Sequence, residues 1–114
     1  MKPRWTKPGN YQRGVPNKTE QRYAQYLEVL KRAGEILDYR FEPIKFKLAD
    51  KTFYSPDFLV IYPDHVLLVE IKGFLRDDAN VKFKVAAKLF PWFRFCMVRE
   101  VKKQWHFEYA DGGE

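Results

Sequence analysis

The sequence is short of the residues from which most metal and nucleophile sites are built. Its 114 residues include one cysteine, Cys96, and two histidines, so we expect neither an internal disulfide nor a zinc site of cysteine and histidine ligands. Its glycines form no phosphate-binding loop motif. It has no apolar run long enough to cross a membrane and no signal peptide. These absences predict a cytoplasmic protein with no membrane partner.

Basic residues outnumber acids, and the two kinds of charge occupy different parts of the chain. The net charge is +6. Residues 1–19 contain five basic residues and no acid, and residues 79–107 contain seven basic residues against Glu100 alone. The remaining residues contain nine basic residues against fourteen acids. Positive flanks around an acidic middle are typical of a protein that binds a polyanion such as nucleic acid.

The first 16 residues form a basic segment that is too rich in proline and glycine for a helix. Because Trp5 and Tyr11 lie among its basic residues, we expect an extended arm along a sugar–phosphate backbone or against a partner subunit; a frayed tail is the alternative. Basic residues of this arm, of the start of the first helix and of the second helix are expected to contact nucleic acid: Lys2, Arg4, Lys7, Arg13, Lys18, Lys82, Lys84 and Lys88.

Two apolar runs joined by a turn carry charged residues at their ends. Asp57 precedes residues 58–62, Glu70 ends residues 66–70, and Lys72 follows. If the runs pair as an antiparallel hairpin around the turn signal between them, the numbers of paired residues sum to 127 and Asp57 lies opposite Glu70. Glu70 and Lys72 are two residues apart, so both point to the same face of the sheet.

Facing carboxylates of this kind predict a bound cation. Cross-strand neighbours lie roughly 5 Å apart, where two carboxylates repel each other unless a cation sits between them. Mg²⁺ takes oxygen ligands of this type, and Mn²⁺ can replace it. Lys72 is placed to hold a water molecule or to neutralise charge that develops on a phosphate. The plainer interpretation is a surface hairpin with an incidental Lys–Glu pair, which the facing carboxylates disfavour.

Pro56-Asp57 and Glu70-Ile71-Lys72, followed by Gly73, resemble the catalytic motif of the PD-(D/E)XK nuclease superfamily. The resemblance covers roughly residues 17–99 and extends to its small phage-type endonucleases, among them junction-resolving enzymes. It implies that Asp57, Glu70 and the main-chain carbonyl of Ile71 bind the metal and that Lys72 assists hydrolysis.

Glu20 is a further candidate on the first helix. It begins the apolar stripe that continues through Tyr23 and Leu27, so it is predicted to face inward. An inward acid suits a metal ligand, and many nucleases of the resembling superfamily have a glutamate there. The alternative is a capping box, because Asn17 is a good N-cap and Glu20 would be the third helical residue.

The order of predicted elements favours an α/β fold with a mixed sheet flanked by helices. We expect helices at 17–34 and 78–90, the second with Val81, Val85, Ala86 and Leu89 as its apolar face. Strands are expected at 36–42, 44–49, 53–62, 66–72, 93–99 and 104–109. The helix between the fourth and fifth strands predicts a parallel crossover. This order is that of the restriction-endonuclease-like αβββαβ core. The domain limits are an arm at 1–16, one nuclease domain at 17–110 and a tail at 111–114.

These features predict a Mg²⁺-dependent DNA endonuclease that hydrolyses phosphodiester bonds. Its expected substrate is branched DNA such as a Holliday junction, cut by a homodimer, because one small site needs a second copy to cut two strands. The resemblance implies a bacteriophage or prophage protein expressed in a bacterial host. The alternatives are a nicking or end-processing nuclease without branch preference and a non-catalytic nucleic-acid-binding module. DNA and RNA remain open as substrates.

Overall fold

A computed structural model of the chain describes residues 15–72 and 77–110. The predicted arm, apart from its last two residues, and the predicted tail at 111–114 lie outside the described residues, as does Gly73. The described part is an α/β fold. Its elements are α1 (Lys18–Arg32), β1 (Asp38–Phe41), β2 (Phe46–Ala49), β3 (Thr52–Tyr54), β4 (Phe58–Ile61), β5 (Val66–Ile71), α2 (Asp77–Leu89), β6 (Arg94–Val101) and β7 (Gln104–Tyr109).

The ends of α1 follow from local chemistry. Asn17 is the N-cap, and its side chain accepts a hydrogen bond from the main-chain N–H of Glu20. Lys31 and Arg32 lie in the last turn, where cations favour the helix dipole. Gly34 follows with a φ of 80°, a left-handed conformation that glycine adopts at little cost. The predicted helix at 17–34 is thus confirmed, with slightly shorter bounds.

Five strands form a mixed sheet in the order β1-β4-β5-β6-β7. The β4–β5 hairpin pairs Phe58 with Val69 and Ile61 with Val66, so the predicted register, in which paired numbers sum to 127, is confirmed. β5 and β6 are parallel and α2 connects them. The predicted crossover is therefore confirmed as well, and it places the end of β5 beside the start of α2.

The strand predicted at 53–62 is wrong, because the structure divides it into two strands that belong to different sheets. β3 pairs with β2 in a separate two-stranded sheet, whereas β4 pairs with β1 and β5. Residues 55–57 between them belong to no strand. Pro56 explains the break, because proline has no N–H to donate to a ladder and restricts the residue before it.

The two faces of the five-stranded sheet have different cover. On one face, which we call the α1 face, Tyr23 and Leu27 of α1 pack with Phe58 and Val69. The other face, which we call the α2 face, is formed by the strand residues that alternate with these: Leu68, Phe95 and Met97. Phe83 and Ala86 of α2 pack against it, together with Phe46 and Tyr54 of the two-stranded sheet. Alternation along each strand assigns its residues to one face or the other.

The predicted apolar face of α2 is largely wrong. Val81, Val85 and Leu89 are exposed, Val81 by 57%. The buried stripe is instead formed by Phe83 and Ala86, with Ala87 and Phe90 partly buried beside them. These four residues also follow helical spacing, and the helix turns the bulky Phe83 inward because a phenyl ring buries more apolar area than a valine.

The β6–β7 connection is a two-residue turn. Val101 pairs with Gln104, so Lys102 and Lys103 make the whole turn, and both have positive φ, 52° and 62°. None of the described helices is long and apolar enough to cross a membrane.

Candidate active site

Asp57 lies at the entrance to β4 and is almost completely buried, with 1% of its surface exposed. Its Oδ2 atom accepts a hydrogen bond from the main-chain N–H of Ile71, at 2.8 Å. Its main-chain carbonyl accepts a bond from the N–H of Glu42, also at 2.8 Å. The Asp57 carboxylate is thereby fixed between β4 and the end of β5.

Glu70 lies on β5 and is 6% exposed. The Tyr54 hydroxyl donates a hydrogen bond of 2.7 Å to its Oε1 atom. Burial raises the pKa of Tyr54 well above its ordinary value of 10, and the charges of Glu70 and Asp57 and the bond to Glu70 raise it further. Tyr54 therefore stays protonated and remains a donor at neutral pH.

Asp57 and Glu70 belong to one cluster. The last pair of the β4–β5 ladder is Phe58 with Val69, and one step further the same register sets Asp57 opposite Glu70. Both carboxylates contribute to the raised pKa of Tyr54. The structure therefore brings the two predicted carboxylates to adjoining strand ends and buries both, whereas the metal site that they are predicted to form stays a prediction.

Lys72 follows the last residue of β5 and is partly exposed. Its main-chain N–H donates to the carbonyl of Val98 at 2.7 Å, which continues the parallel pairing beyond the strand. Alternation sets its side chain on the face of Glu70. A cavity of about 170 Å³ adjoins it, lined also by Asn80, Phe83 and Lys84 of α2. Neither Asp57 nor Glu70 lines this cavity, so the cavity marks the solvent side of Lys72 and not the carboxylates themselves.

Glu20 is fully buried, as predicted from the stripe, and the structure shows its capping role. Its Oε1 accepts from the Asn17 main-chain N–H at 2.9 Å, and its own N–H donates to Asn17 Oδ1 at 2.8 Å. The helix that carries it packs on the α1 face, opposite Glu70. The capping interpretation is confirmed, and its role as a metal ligand stays a prediction.

The carboxylate chemistry fits a hard divalent cation with few protein ligands. Within residues 15–72 and 77–110, no three side chains of histidine, cysteine, aspartate or glutamate come close enough to hold a metal ion. Mg²⁺ is commonly bound through one or two carboxylates and keeps several waters. A carboxylate has about four lone-pair positions, so the bonds from Ile71 and Tyr54 are compatible with coordination by Asp57 and Glu70.

Tyr54 and Ser55 are buried site residues that the sequence interpretation missed. Two signals pointed to Tyr54. It sits three residues before the aspartate of the motif, and a tyrosine placed among core residues needs a partner for its hydroxyl. The partner itself, sixteen residues away, is not visible from local pattern.

The predicted nucleic-acid contacts are only partly within the described chain. Lys2, Arg4, Lys7 and Arg13 lie outside it, and Lys18 is exposed at the first residue of α1. Lys82 is partly exposed, and two further lysines of α2 are exposed. These two, Lys84 and Lys88, line an open groove of about 560 Å³ that Phe93 and Ala110 also line.

Comparison of the chain with protein-family models, with curated proteins and with solved structures finds no match.

Proposed function

We propose that the chain is a Mg²⁺-dependent endodeoxyribonuclease that hydrolyses phosphodiester bonds, with a site of the PD-(D/E)XK type on a restriction-endonuclease-like αβββαβ core. One observation carries the proposal. Asp57 and Glu70 are nearly completely buried at the adjoining ends of two strands, on the sheet face that Lys72 also shares.

The burial of these acids calls for a function. Moving a carboxylate out of water costs several kcal/mol unless charge or hydrogen bonds compensate. Two facing carboxylates also repel each other. A protein that only bound nucleic acid would gain nothing from acids directed at phosphates, since its affinity comes from cations. A centre that uses a cation between acids and phosphate accounts for both the burial and the pairing.

The residues that would hold the metal are Asp57, Glu70 and the main-chain carbonyl of Ile71. Glu20, the further predicted ligand, caps α1 on the opposite face, so it would join them only if its carboxylate left the cap. The bound ion supplies Lewis-acid polarisation of the phosphate and lowers the pKa of coordinated water. Mn²⁺ would serve with the same oxygen ligands.

The chain's own groups then have separate tasks. The Tyr54 hydroxyl holds Glu70 Oε1 in one orientation, and the Ile71 N–H holds Asp57 Oδ2. Such fixed partners keep the carboxylates in place without reorganisation during the reaction. The Lys72 ammonium donates hydrogen bonds to the attacking water or to a phosphate oxygen, where negative charge develops.

The exposed lysines beside the site suit a polyanionic substrate. Lys84 lines the same cavity as Lys72, and with Lys88 it lines the adjoining groove. The substrate we propose is branched DNA such as a four-way junction, cut by a homodimer, because symmetric cuts in two strands require two copies of one site. We further propose that the enzyme acts in the cytoplasm of a bacterial host as a phage or prophage protein, since the motif resembles that of phage-type endonucleases.

The test is cleavage of a labelled four-way junction, a matched linear duplex and a single strand, each with Mg²⁺ or EDTA. The enzymes are the wild type and Lys72→Ala, with Lys31→Ala as a matched lysine control in the last turn of α1, at the opposite end of the sheet. Paired Mg²⁺-dependent cuts near the branch, lost only in Lys72→Ala, are the expected result. Cutting of all three substrates would support the nuclease activity and contradict the preference for branched DNA. Binding of DNA without cleavage, with Mg²⁺ or with Mn²⁺, would contradict an enzymatic function.

A further inference from the structure

The two-stranded sheet of β2 and β3 has one buried face and one exposed face. Phe46 and Tyr54 point inward and pack with the residues of α2. Phe53, between Thr52 and Tyr54, points outward and is 36% exposed. The inner face is held by the core, so the outer face is a rigid surface rather than a loose loop.

Lysines surround the exposed ring of Phe53. Lys47 is its cross-strand partner, and the Lys45 Nζ atom lies 4.8 Å from the centre of the ring. Lys51 lies in the turn between the strands, with a φ of 56°. We call these four residues, Lys45, Lys47, Lys51 and Phe53, the hairpin patch.

The ammonium groups of the hairpin patch form no ion pair with acids of the described residues. None of the ion pairs within the described residues involves Lys45, Lys47 or Lys51. The single acid between residues 43 and 54 is Asp50. The hairpin that presents Phe53 therefore has three lysines against one acid, and one of them, Lys45, lies over the ring.

The hairpin patch adjoins the candidate active site through the chain itself. Tyr54, the neighbour of Phe53, donates to Glu70, and Asp57 follows Phe53 by four residues. Four residues of extended chain span at most about 14 Å. The main chain at Phe53 therefore lies within about 14 Å of that at Asp57, although the Phe53 ring points outward and the bound strand must pass around the edge of the hairpin to reach it.

We propose that the hairpin patch is a nucleotide-stacking site, in which Phe53 stacks on an unpaired base and the lysines contact the flanking phosphates. The proposal adds a substrate-binding site to the proposed nuclease, and it rests on that function for placing one phosphate of the bound strand at Asp57 and Glu70. An aromatic ring among cations is the arrangement that binds single-stranded nucleic acid without sequence preference. A base inside a duplex has both faces covered by its neighbours, so the ring selects strands with an unpaired base beside the cutting site.

A plainer explanation for the hairpin patch is that Lys45 covers an exposed ring. A lysine over an aromatic ring contributes about 0.5–1 kcal/mol at an exposed site. That explanation accounts for Lys45 but assigns no role to Lys47 or Lys51, and it predicts no ligand. The two explanations make different predictions for oligonucleotide binding: the stacking site predicts binding that depends on Phe53, and the packing explanation predicts none.

The test is oligonucleotide binding in EDTA, where no cleavage occurs, with a fluorescent single strand and a matched blunt duplex. Phe53→Leu keeps an apolar side chain on the strand but removes the ring. We expect it to bind the single strand about 5- to 100-fold more weakly than the wild type, with little change for the duplex. Phe107→Leu removes a ring that is 41% exposed on β7, beside Tyr26 of α1, and is expected to bind as the wild type.

A second measurement locates the contact. A single strand that contains 5-iodouracil crosslinks on irradiation to an aromatic ring stacked on it, and mass spectrometry of the wild-type protein is expected to find the crosslink at Phe53. Lys47→Gln is expected to reduce the salt slope of binding by about 0.7, the value of one phosphate contact on a single strand. Lys102→Gln, in the β6–β7 turn, is the control and keeps the slope.

The outcomes separate this site from the nuclease itself. Equal binding of the single strand by the wild type and Phe53→Leu, or a crosslink at other residues only, would overturn the stacking site whether or not the protein cuts DNA. Phe53-dependent binding by a protein that cuts nothing with Mg²⁺ would support the stacking site and overturn the nuclease. No binding of either oligonucleotide in EDTA would overturn the stacking site, and the cleavage assay with Mg²⁺ would still decide the nuclease.

Discussion

The two faces of the five-stranded sheet are both covered by a helix, but their buried tyrosines have partners of different chemistry. Each is packed against a helix and each contains a buried tyrosine. On the α1 face Tyr23 meets aromatic neighbours, among them Phe58 and Trp105, with ring centres 5.4 and 5.1 Å away. On the α2 face Tyr54 meets a carboxylate, Glu70. The α1 face is therefore built for stability, whereas the α2 face gives up part of its apolar contact to hold charged groups at the strand ends.

Glu70→Gln is the change with the largest expected effect on this difference. It keeps the size of the side chain and removes the charge, so we expect at least a 100-fold fall in kcat with Mg²⁺. Mg²⁺ should also raise the Tm of the wild type but not of the variant, because an ion that binds only the folded state stabilises it. Glu35→Gln, an exposed acid, is the control. If Mg²⁺ raised the Tm of the wild type and of Glu70→Gln equally, the ion would not be bound by Glu70 on the α2 face.

Leu27→Ala tests the opposite face. It opens a cavity between α1 and the sheet, and we expect the free energy of unfolding to fall by about 2–5 kcal/mol. Urea unfolding measures this loss. Val29→Ala, at an exposed position of the same helix, should change stability by less than about 0.5 kcal/mol. A change in Mg²⁺ affinity as large as the change in stability would contradict the separation of the two faces.

The two buried tyrosines can be compared directly by Tyr54→Phe and Tyr23→Phe. Tyr54→Phe removes a hydrogen bond to a charged group, worth about 1.5–3 kcal/mol, and it should also weaken Mg²⁺ binding. Tyr23→Phe should leave Mg²⁺ binding unchanged. Isothermal titration with Mg²⁺ beside urea unfolding separates these effects.

The pH dependence of Tyr54 has a definite sign. Its pKa is raised in the folded protein, so its protonated form is favoured by folding. Its contribution to stability is complete below pH 10, the ordinary pKa of tyrosine, and is lost as the pH rises above 10. Tyr54→Phe should therefore lose less stability than the wild type between pH 9 and pH 11. Parallel curves for the two proteins would show that Tyr54 titrates normally.

Asn17→Ala and Glu20→Gln separate the two roles of Glu20. Asn17→Ala removes the N-cap and should lower the free energy of unfolding by about 1 kcal/mol. Glu20→Gln keeps a side chain that can serve in a capping box but removes a metal-binding charge. A loss of Mg²⁺-dependent cleavage in Glu20→Gln, at unchanged stability, would support the metal role. Unchanged cleavage would restrict Glu20 to the cap.

The features that the sequence predicted are those with short-range causes. The register of β4 and β5 follows from the turn signal at Pro63 and Asp64 between two apolar runs. The crossover follows from the position of α2 between two apolar runs. The N-cap at Asn17 and the glycine at 34 are likewise local signals, and α1 ends within two residues of the prediction.

The features that were missed depend on contacts between distant residues. Apolar side chains at helical spacing occur on two sides of α2, and only packing against β2, β3 and the sheet decides that Phe83 is inside and Val81 outside. Apolar residues also stand on both sides of Ser55, Pro56 and Asp57, so local pattern alone hides the change of sheet. The bond from Tyr54 to Glu70 depends on that change, because it brings β3 over the end of β5.

The β6–β7 turn has a consequence for the order of folding. Two-residue hairpin turns with positive φ at both positions favour Asn-Gly, and lysine gains nothing from that conformation. The turn at Lys102 and Lys103 therefore gives little help in starting the hairpin, and β7 should dock late, after β6 is already held by β5. Replacing the pair by Lys102→Asn with Lys103→Gly should stabilise the protein by about 0.5–1 kcal/mol, and in stopped-flow measurements it should slow unfolding while the refolding rate stays nearly unchanged. Faster refolding with an unchanged unfolding rate would show that the last strand is placed early.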